Sequence, residues 1–331
     1  MKKRRYAIIL VILLIFVFTG CGEQDGKENS LNKITFVLDW TPNTNHTGLY
    51  VAQQKGYFKE LGLEVEIQQP PEDGAAVLVA SGKAEFGISF QDSMAAALVG
   101  EDALPITAVA AVIQHNTSGI ISRKGEGMDT PRGMEGKRYA TWNGAIELAT
   151  IEQVVKADGG NYSKIELIPS TVTDEVSALK TKSVDSIWVY YAWAGVKTEL
   201  EQLETDYFEF AEIDPVFDYY TPVIIGNNQF LKQNPEEAKA FLKAVSKGYQ
   251  FAIENPEEAA KILCQAAPEL DEKLVVESQK YLADKYQAEA KIWGYIDSER
   301  WNNFYKWVNE KKLVEGEVPL DVAFTNEYLP K

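Results

Sequence analysis

The sequence predicts an α/β protein of two lobes, each a doubly wound, mostly parallel sheet, with a cleft between them. Three observations carry this. Short apolar runs alternate with helical patterns from residue 33 onward, as the strands and crossover helices of a parallel sheet do. Ile106 to Ile113 is a continuous apolar run, as a strand buried on both faces requires. After the stretch Arg123 to Gly136, which contains several Gly and Arg and one Pro, the alternation restarts. A chain of 331 residues is long enough for two lobes of ordinary domain size.

The first lobe opens on an apolar strand, Ile34 to Leu38, and a polar loop, Asp39 to Gly48. Leu49 to Phe58 reads as a helix stopped near Gly56. Leu63 to Ile67 alternates apolar and charged residues, which suits a half-exposed strand. Gly74 to Ser81 is a helix closed by Gly82, and Phe86 to Phe90 is the next strand. Ser93 is placed to cap a helix over Met94 to Val99. The apolar strand Ile106 to Ile113 leads into Gln114-His115-Asn116-Thr117-Ser118-Gly119.

Arg123 to Gly136 reads as a connector. The second lobe then runs strand Lys137–Trp142, helix Ile146–Asp158, strand Ile165–Pro169, helix Asp174–Lys182 and strand Val184–Tyr190. Val223 to Gly226 is a strand that belongs back in the first lobe. Asn234-Pro235-Glu236-Glu237 and Asn255-Pro256-Glu257-Glu258 are helix starts, with Asn at the cap, Pro in the first turn and acids facing the dipole. Helical patterns continue over Leu274–Lys285 and Arg300–Glu310, and these helices are expected to cover the first lobe.

The composition, 45% hydrophobic and 25% charged, is that of a soluble globular protein. A net charge of −16 argues against a nucleic-acid partner and against a basic membrane-binding patch. The N-terminus is a different matter. Lys2, Lys3, Arg4 and Arg5 precede an apolar run, Ala7 to Phe18, too short for a typical membrane-spanning helix. Phe18-Thr19-Gly20-Cys21 is similar to a bacterial lipobox, with Phe18 departing from the usual Leu. Cys21 is therefore the expected lipidation site, and residues 22–32 a flexible tether. Cys264 lies in an apolar helical pattern and reads as a buried free thiol, so no intramolecular disulfide is expected.

Enzyme signatures are weak. There is no Gly-Lys-Ser/Thr phosphate loop and no His-Glu-x-x-His, and two histidines cannot make a histidine-rich metal site. Ser118-Gly119 and Ser81-Gly82 lack the context of a nucleophile elbow.

Polar and aromatic residues instead gather just after the predicted strands, where open α/β sheets bind ligands. The clusters are Asp39 to His46, Gln91 to Ser93, Gln114 to Ser118, Trp142 to Glu147 and Tyr190 to Trp193, with Asp218 to Tyr220 at the return crossing. Trp40, Trp142, Tyr190, Tyr191, Trp193, Tyr219 and Tyr220 are candidate ring faces for a planar heteroaromatic ligand, with Tyr50 beside them. Some of these aromatics belong to the core, and Trp188 is placed there. Asp39 and Glu147 are the leading candidate carboxylates, with Asp92 at another strand end. One carboxylate can meet an exocyclic amine and a basic ring nitrogen together. Asp39 also suits a loop cap, and Glu147 a helix N-terminus. Asn45 and His46 are candidates to meet ring substituents, and each has a competing role within its own loop. Asn116, Thr117 and Ser118 are candidates for a formyl or amine tail, while His115 reads as structural.

Asp39-Trp40-Thr41-Pro42-Asn43-Thr44-Asn45-His46-Thr47-Gly48-Leu49-Tyr50-Val51-Ala52, followed by Lys55-Gly56-Tyr57-Phe58, resembles the opening of the binding proteins for thiamine pyrimidine precursors. Ser81-Gly82-Lys83-Ala84-Glu85-Phe86-Gly87 and Thr325-Asn326-Glu327-Tyr328-Leu329 extend the resemblance over roughly residues 33–331. These middle motifs also occur among binding proteins for sulfonates and nitrate. The resemblance implies a type II periplasmic-binding-protein fold with its ligand in the interlobe cleft. It implies a monomeric, extracytoplasmic lipoprotein that delivers a formylaminopyrimidine or hydroxymethylpyrimidine to an ABC permease and, through it, an ATPase subunit. No cofactor is implied. Riboflavin is the alternative ligand within the same class. The related yeast synthases of the pyrimidine precursor are the enzyme alternative. A histidine matching His46 takes part in their chemistry, with iron and pyridoxal phosphate. Their cysteine-rich iron-binding motif is missing here, since Phe217-Asp218-Tyr219-Tyr220-Thr221-Pro222 has no cysteine. The expected division is residues 1–21 signal segment, 22–32 tether, 33–122 first lobe, 123–222 second lobe, and 223–331 return to the first lobe plus C-terminal helices.

Overall fold

The structure, a computed structural model, describes residues 31–331 other than 171 and 173. The signal segment, Cys21 and most of the tether lie outside the described residues.

Among the described residues, ten strands form two five-stranded sheets. The first contains β1 (Asn32–Val37), β2 (Leu63–Gln68), β3 (Phe86–Ser89), β4 (Ile106–Ala111) and, from much later in the chain, β10 (Val223–Asn227). The second contains β5 (Ser118–Arg123), β6 (Arg138–Thr141), β7 (Glu166–Pro169), β8 (Ser186–Tyr190) and β9 (Thr205–Glu209). Their orders are β2-β1-β3-β10-β4 and β7-β6-β8-β5-β9. These are the same pattern twice. In each sheet a single antiparallel strand, β10 or β5, is inserted beside strands that otherwise run one way.

Sequence explains most of this. Leu63 and Val65 of β2 are buried while Glu64 and Glu66 are exposed, the alternation of a strand with one wet face. β4 lies at the sheet edge yet is nearly all buried, as an apolar run of Ile, Ala and Val covered on both faces should be. β5 and β9 are the strands that the sequence reading lacks. Ser118–Arg123 was expected to end a polar cluster and open a connector; it pairs instead with β8 and β9 along its length. The chain thus crosses between sheets within 112–117, upstream of the expected division at 122/123. β1 likewise begins at Asn32, inside the expected tether.

The helices α1 (Thr47–Gln54), α2 (Tyr57–Glu60), α3 (Ala75–Ala80) and α4 (Gln91–Ala97) belong to the first lobe. Gly56, at φ 76°, separates α1 from α2. α4 starts at Gln91, so Ser93 sits inside its first turn and is not the cap. The second lobe carries α5 (Ala145–Ala157), α6 (Glu175–Lys180), α7 (Val196–Leu200) and α8 (Phe210–Ile213). After β10 come α9 (Asn228–Gln233), α10 (Pro235–Glu254), α11 (Pro256–Ala266), α12 (Glu272–Ala283) and α13 (Ser298–Lys311). Asn234 and Asn255 stand at the caps of α10 and α11 but make no side-chain cap bond, so Pro and the acids carry those starts.

α10 covers the first sheet: Phe241 stacks on Phe86 with centroids 4.3 Å apart. Where α10 crosses α1 the backbones touch. A Cβ on Gly248 would lie 2.0 Å from the Gly48 carbonyl oxygen, so only glycine fits there. α12 does more than cover the first lobe. Its Tyr281 ring lies 5.3 Å from Tyr191, just past β8.

Candidate functional site

A cavity of about 430 Å³ lies between the lobes. On the first-lobe side, β3 ends at Ser89, Phe90 continues extended, and α4 turns away, so Phe90, Asp92 and Ser93 form one wall. The opposite wall comes from Trp142 after β6, Glu175 in the first turn of α6, and Trp188 and Tyr190 on β8. Past β8 the chain forms a π-helical turn, Tyr191–Gly195, which brings Trp193 to the cavity. Trp193 also packs against Ala260, Leu263 and Val275 of α11 and α12, beside Tyr50 and the half-buried free thiol of Cys264.

The rings have definite geometry. Tyr190 faces Phe90 across the cleft at 6.5 Å, with the planes 17° apart. Trp142, 54% exposed, stands edge-on to Trp188 at 5.3 Å. Trp188 was expected in the core. It shares a strand face with Tyr190, two residues on, and that period was the signal that could have found it. Ser93, from the Gln91 to Ser93 cluster, lies on the cavity wall, while the sequence gives no sign of Phe90, Glu175, Val189 and Ala194 as site residues.

Asp92 is the cavity's most unusual group. Its Oδ1 is buried without a hydrogen-bond partner, and burial lifts the carboxyl pKa to about 6. Burial also pushes the Tyr190 phenol well up, and the nearby carboxylates of Asp92 and Asp39 add to that. The Tyr190 hydroxyl lies 3.4 Å from Thr221 Oγ1 on the return crossing.

The Asp39–His46 loop sits beside these groups and is rigidly held. His46 Nε2 is 2.7 Å from Asp39 Oδ1, and Nδ1 accepts the Asn43 backbone N–H at 3.2 Å. Tyr286 OH donates to the Thr44 carbonyl at 2.6 Å, and Tyr249 OH to that of Asn45 at 2.5 Å. Trp40 is left 66% exposed at the loop tip.

Burial and internal hydrogen bonds take up groups of several residues expected at the ligand. His46 is fully buried with both nitrogens engaged, so it orients Asp39 and does not reach a ring substituent. Glu147 is buried and saturated: Tyr139 OH donates to Oε1 at 2.7 Å and the Gly144 N–H to Oε2 at 3.0 Å, which makes it the cap of α5. Asn116 ties the two crossings together, donating from Nδ2 to the Phe217 carbonyl at 2.8 Å. Tyr219 stacks on Phe304 at 4.1 Å, and Tyr220 OH accepts the Asp297 N–H at 2.8 Å, so both phenols belong to the packing of α13. The buried Thr117 offers its carbonyl to Tyr207 OH at 2.8 Å. Tyr191 packs between Tyr207 and Tyr281 and donates to Glu199. Ser118 is buried opposite Tyr190, with an unpartnered Oγ. Half-buried Asn45 lends its N–H to Asn43 Oδ1 at 2.9 Å.

The model of the NMT1/THI5-like family matches residues 43–259, from within this loop to α11. The chain belongs to the NMT1/THI5-like family. Two relatives with nearly full-length overlap point in different directions. One is a formylaminopyrimidine-binding protein of Halalkalibacterium halodurans, 26% identical, with 98% of this chain and 99% of the relative covered. The other is a 4-amino-5-hydroxymethyl-2-methylpyrimidine phosphate synthase of Saccharomyces cerevisiae, 27% identical over 91% of this chain and 88% of the relative. Among solved structures, the alkanesulfonate-binding protein SsuA of Xanthomonas axonopodis pv. citri superposes with a TM-score of 0.65 at 12% identity, covering 88% of this chain and 98% of that one. That likeness establishes the two-lobed, type II binding-protein fold for this family member.

Proposed function

We propose that this protein is the solute-binding component of an ABC importer, and that it captures a thiamine pyrimidine precursor of the formylaminopyrimidine or hydroxymethylpyrimidine type. The observation that carries the reading is the interlobe cavity itself. Facing walls from two lobes present indole and phenol rings and a carboxylate with one buried oxygen that lacks a hydrogen-bond partner, which is what a planar, donor-bearing heteroaromatic ring needs. The Halalkalibacterium halodurans relative supports this ligand class by its name. In this reading the lobes close around the ligand, and a monomer anchored outside the cell through lipidated Cys21 hands it to the permease.

The synthase relative favours a second reading, an enzyme of pyrimidine-precursor synthesis. The engagement of His46 with Asp39 and Asn43 weighs against it, because that ring has no free nitrogen for chemistry. Calorimetric titration with formylaminopyrimidine and with riboflavin separates the ligands. Tight binding of the pyrimidine alone is expected. Binding of riboflavin alone moves the ligand within the class. Product formation with iron and pyridoxal phosphate supplied would establish the enzyme.

A further inference from the structure

We propose that Asp92 sets the charge selectivity of the cavity: it favours a ring that donates hydrogen bonds or carries positive charge, and it rejects anions, including the phosphate ester of the same ring. This rests on the interlobe binding function above and assigns the residue that defines its substrate class.

Charge comes first. The cavity walls carry two carboxylates, Asp92 and Glu175, and no Lys, Arg or His among the described residues. An anion entering there meets like charge with no counter-ion to receive it, and such juxtapositions are strongly unfavourable in a desolvated site. Structural neighbours of the same fold are sulfonate- and nitrate-binding proteins, so the fold itself does not forbid anions. The side chains decide.

Asp92 is the decisive one for two reasons. Its Oδ1 is fully buried with no protein partner, and a buried acceptor in that state costs stability until a donor arrives. Ligand N–H groups are such donors, and a phosphate or sulfonate oxygen is not. Asp92 also sits in the first turn of α4, on the first-lobe wall of the cavity. Phe90 and Tyr190 line the same cavity, so a ring stacked on either shares that space with Asp92.

The test is calorimetric titration of the full-length protein and of Asp92→Asn, with four probes: 4-amino-5-hydroxymethyl-2-methylpyrimidine, its phosphate ester, an alkanesulfonate and riboflavin. The wild type is expected to bind the free pyrimidine at least about a hundredfold more tightly than the ester, and to ignore the sulfonate. Asp92→Asn should lose roughly ten- to a hundredfold in pyrimidine affinity and narrow the gap to the ester by about tenfold. The melting temperature of the unliganded variant should equal or exceed that of the wild type, because the carboxylate it replaces has no counter-ion; a structural role for Asp92 predicts a fall. Ester or sulfonate binding as tight as the pyrimidine's overturns the inference and leaves the pyrimidine reading intact. So does an Asp92→Asn variant with unchanged affinity and selectivity, or one whose affinity and melting temperature fall together. Binding of riboflavin alone, lost in Asp92→Asn, removes the pyrimidine reading and keeps the inference. A wild type that binds none of the four overturns both.

Discussion

His46 Nε2 lies 2.7 Å from Asp39 Oδ1, while the opposite ring nitrogen accepts the Asn43 N–H. The second bond leaves the ring proton on Nε2, aimed at the carboxylate. His46 thereby fixes where Asp39 points without facing the cleft itself.

His46→Ala should therefore act through Asp39. It removes a buried ring and the donor to a carboxylate, so a stability loss of about 2–4 kcal/mol is expected in chemical denaturation. Ligand affinity should fall as well. If Asp39→Asn reduces affinity and His46→Ala does not, the positioning role is wrong.

Glu147→Gln should separate stability from binding. The amide places a donor where Tyr139 OH and the Gly144 N–H both need acceptors. A loss of about 1–3 kcal/mol in stability is expected. Affinity of the folded variant should stay within a few-fold of the wild type; a large selective loss would return Glu147 to the ligand.

The exposed indoles should behave in the opposite way. Trp40 and Trp142 are 66% and 54% exposed, so truncation to Ala should leave the melting temperature nearly unchanged. Each is expected to lower affinity by up to about tenfold, the scale of one aromatic pair. Ligand-induced quenching of tryptophan fluorescence that persists in both variants would point to Trp188 or Trp193 instead.

His115 joins the two crossings to the C-terminal segment, at 2.7 Å from Asp218 and 2.8 Å from Glu289, with Arg300 alongside. The Asp218 hydrogen bond raises its pKa; burial and Arg300 oppose this, and Glu289 assists. A histidine whose pKa is raised by folding stabilises most below its unfolded value, about 6.5, and loses that contribution as pH climbs through the folded value. Thermal melts should show a wild-type advantage over His115→Gln that is constant below about pH 6.5 and closes above it. Glu209, lifted to about 7 chiefly by burial, titrates nearby in both proteins, so only the difference between the two curves is diagnostic. A gap that does not change with pH rules out a charged His115 link to Asp218 and Glu289.

Much of this was legible in the sequence. The strands with strong apolar runs, the return of Val223–Asn227 to the first sheet and the loop at Asp39 follow from local pattern. β5 and β9 do not, because Ser-Gly-Ile-Ile-Ser-Arg and Thr-Asp-Tyr-Phe-Glu become strands through their neighbours. Site residues divide the same way. Position after a strand brought Asp92, Trp142, Tyr190 and Trp193 to the cavity wall. It could not tell which way a side chain turns, so Glu147, Asn116, Tyr219 and Tyr220 were read as cleft residues although they face inward. The unpartnered Oδ1 of Asp92 is a property of three-dimensional burial and has no local signature.

The repeated strand order has an asymmetry in time. The second sheet is drawn wholly from residues 118–209, whereas the first keeps a gap between β3 and β4 that only residues 223–227 can fill. As the chain emerges from first residue to last, the later lobe has every strand it needs before the earlier one does. Until β10 arrives, the inward edges of β3 and β4 stand unpaired, and that interval is when the nascent protein most needs shelter from other chains.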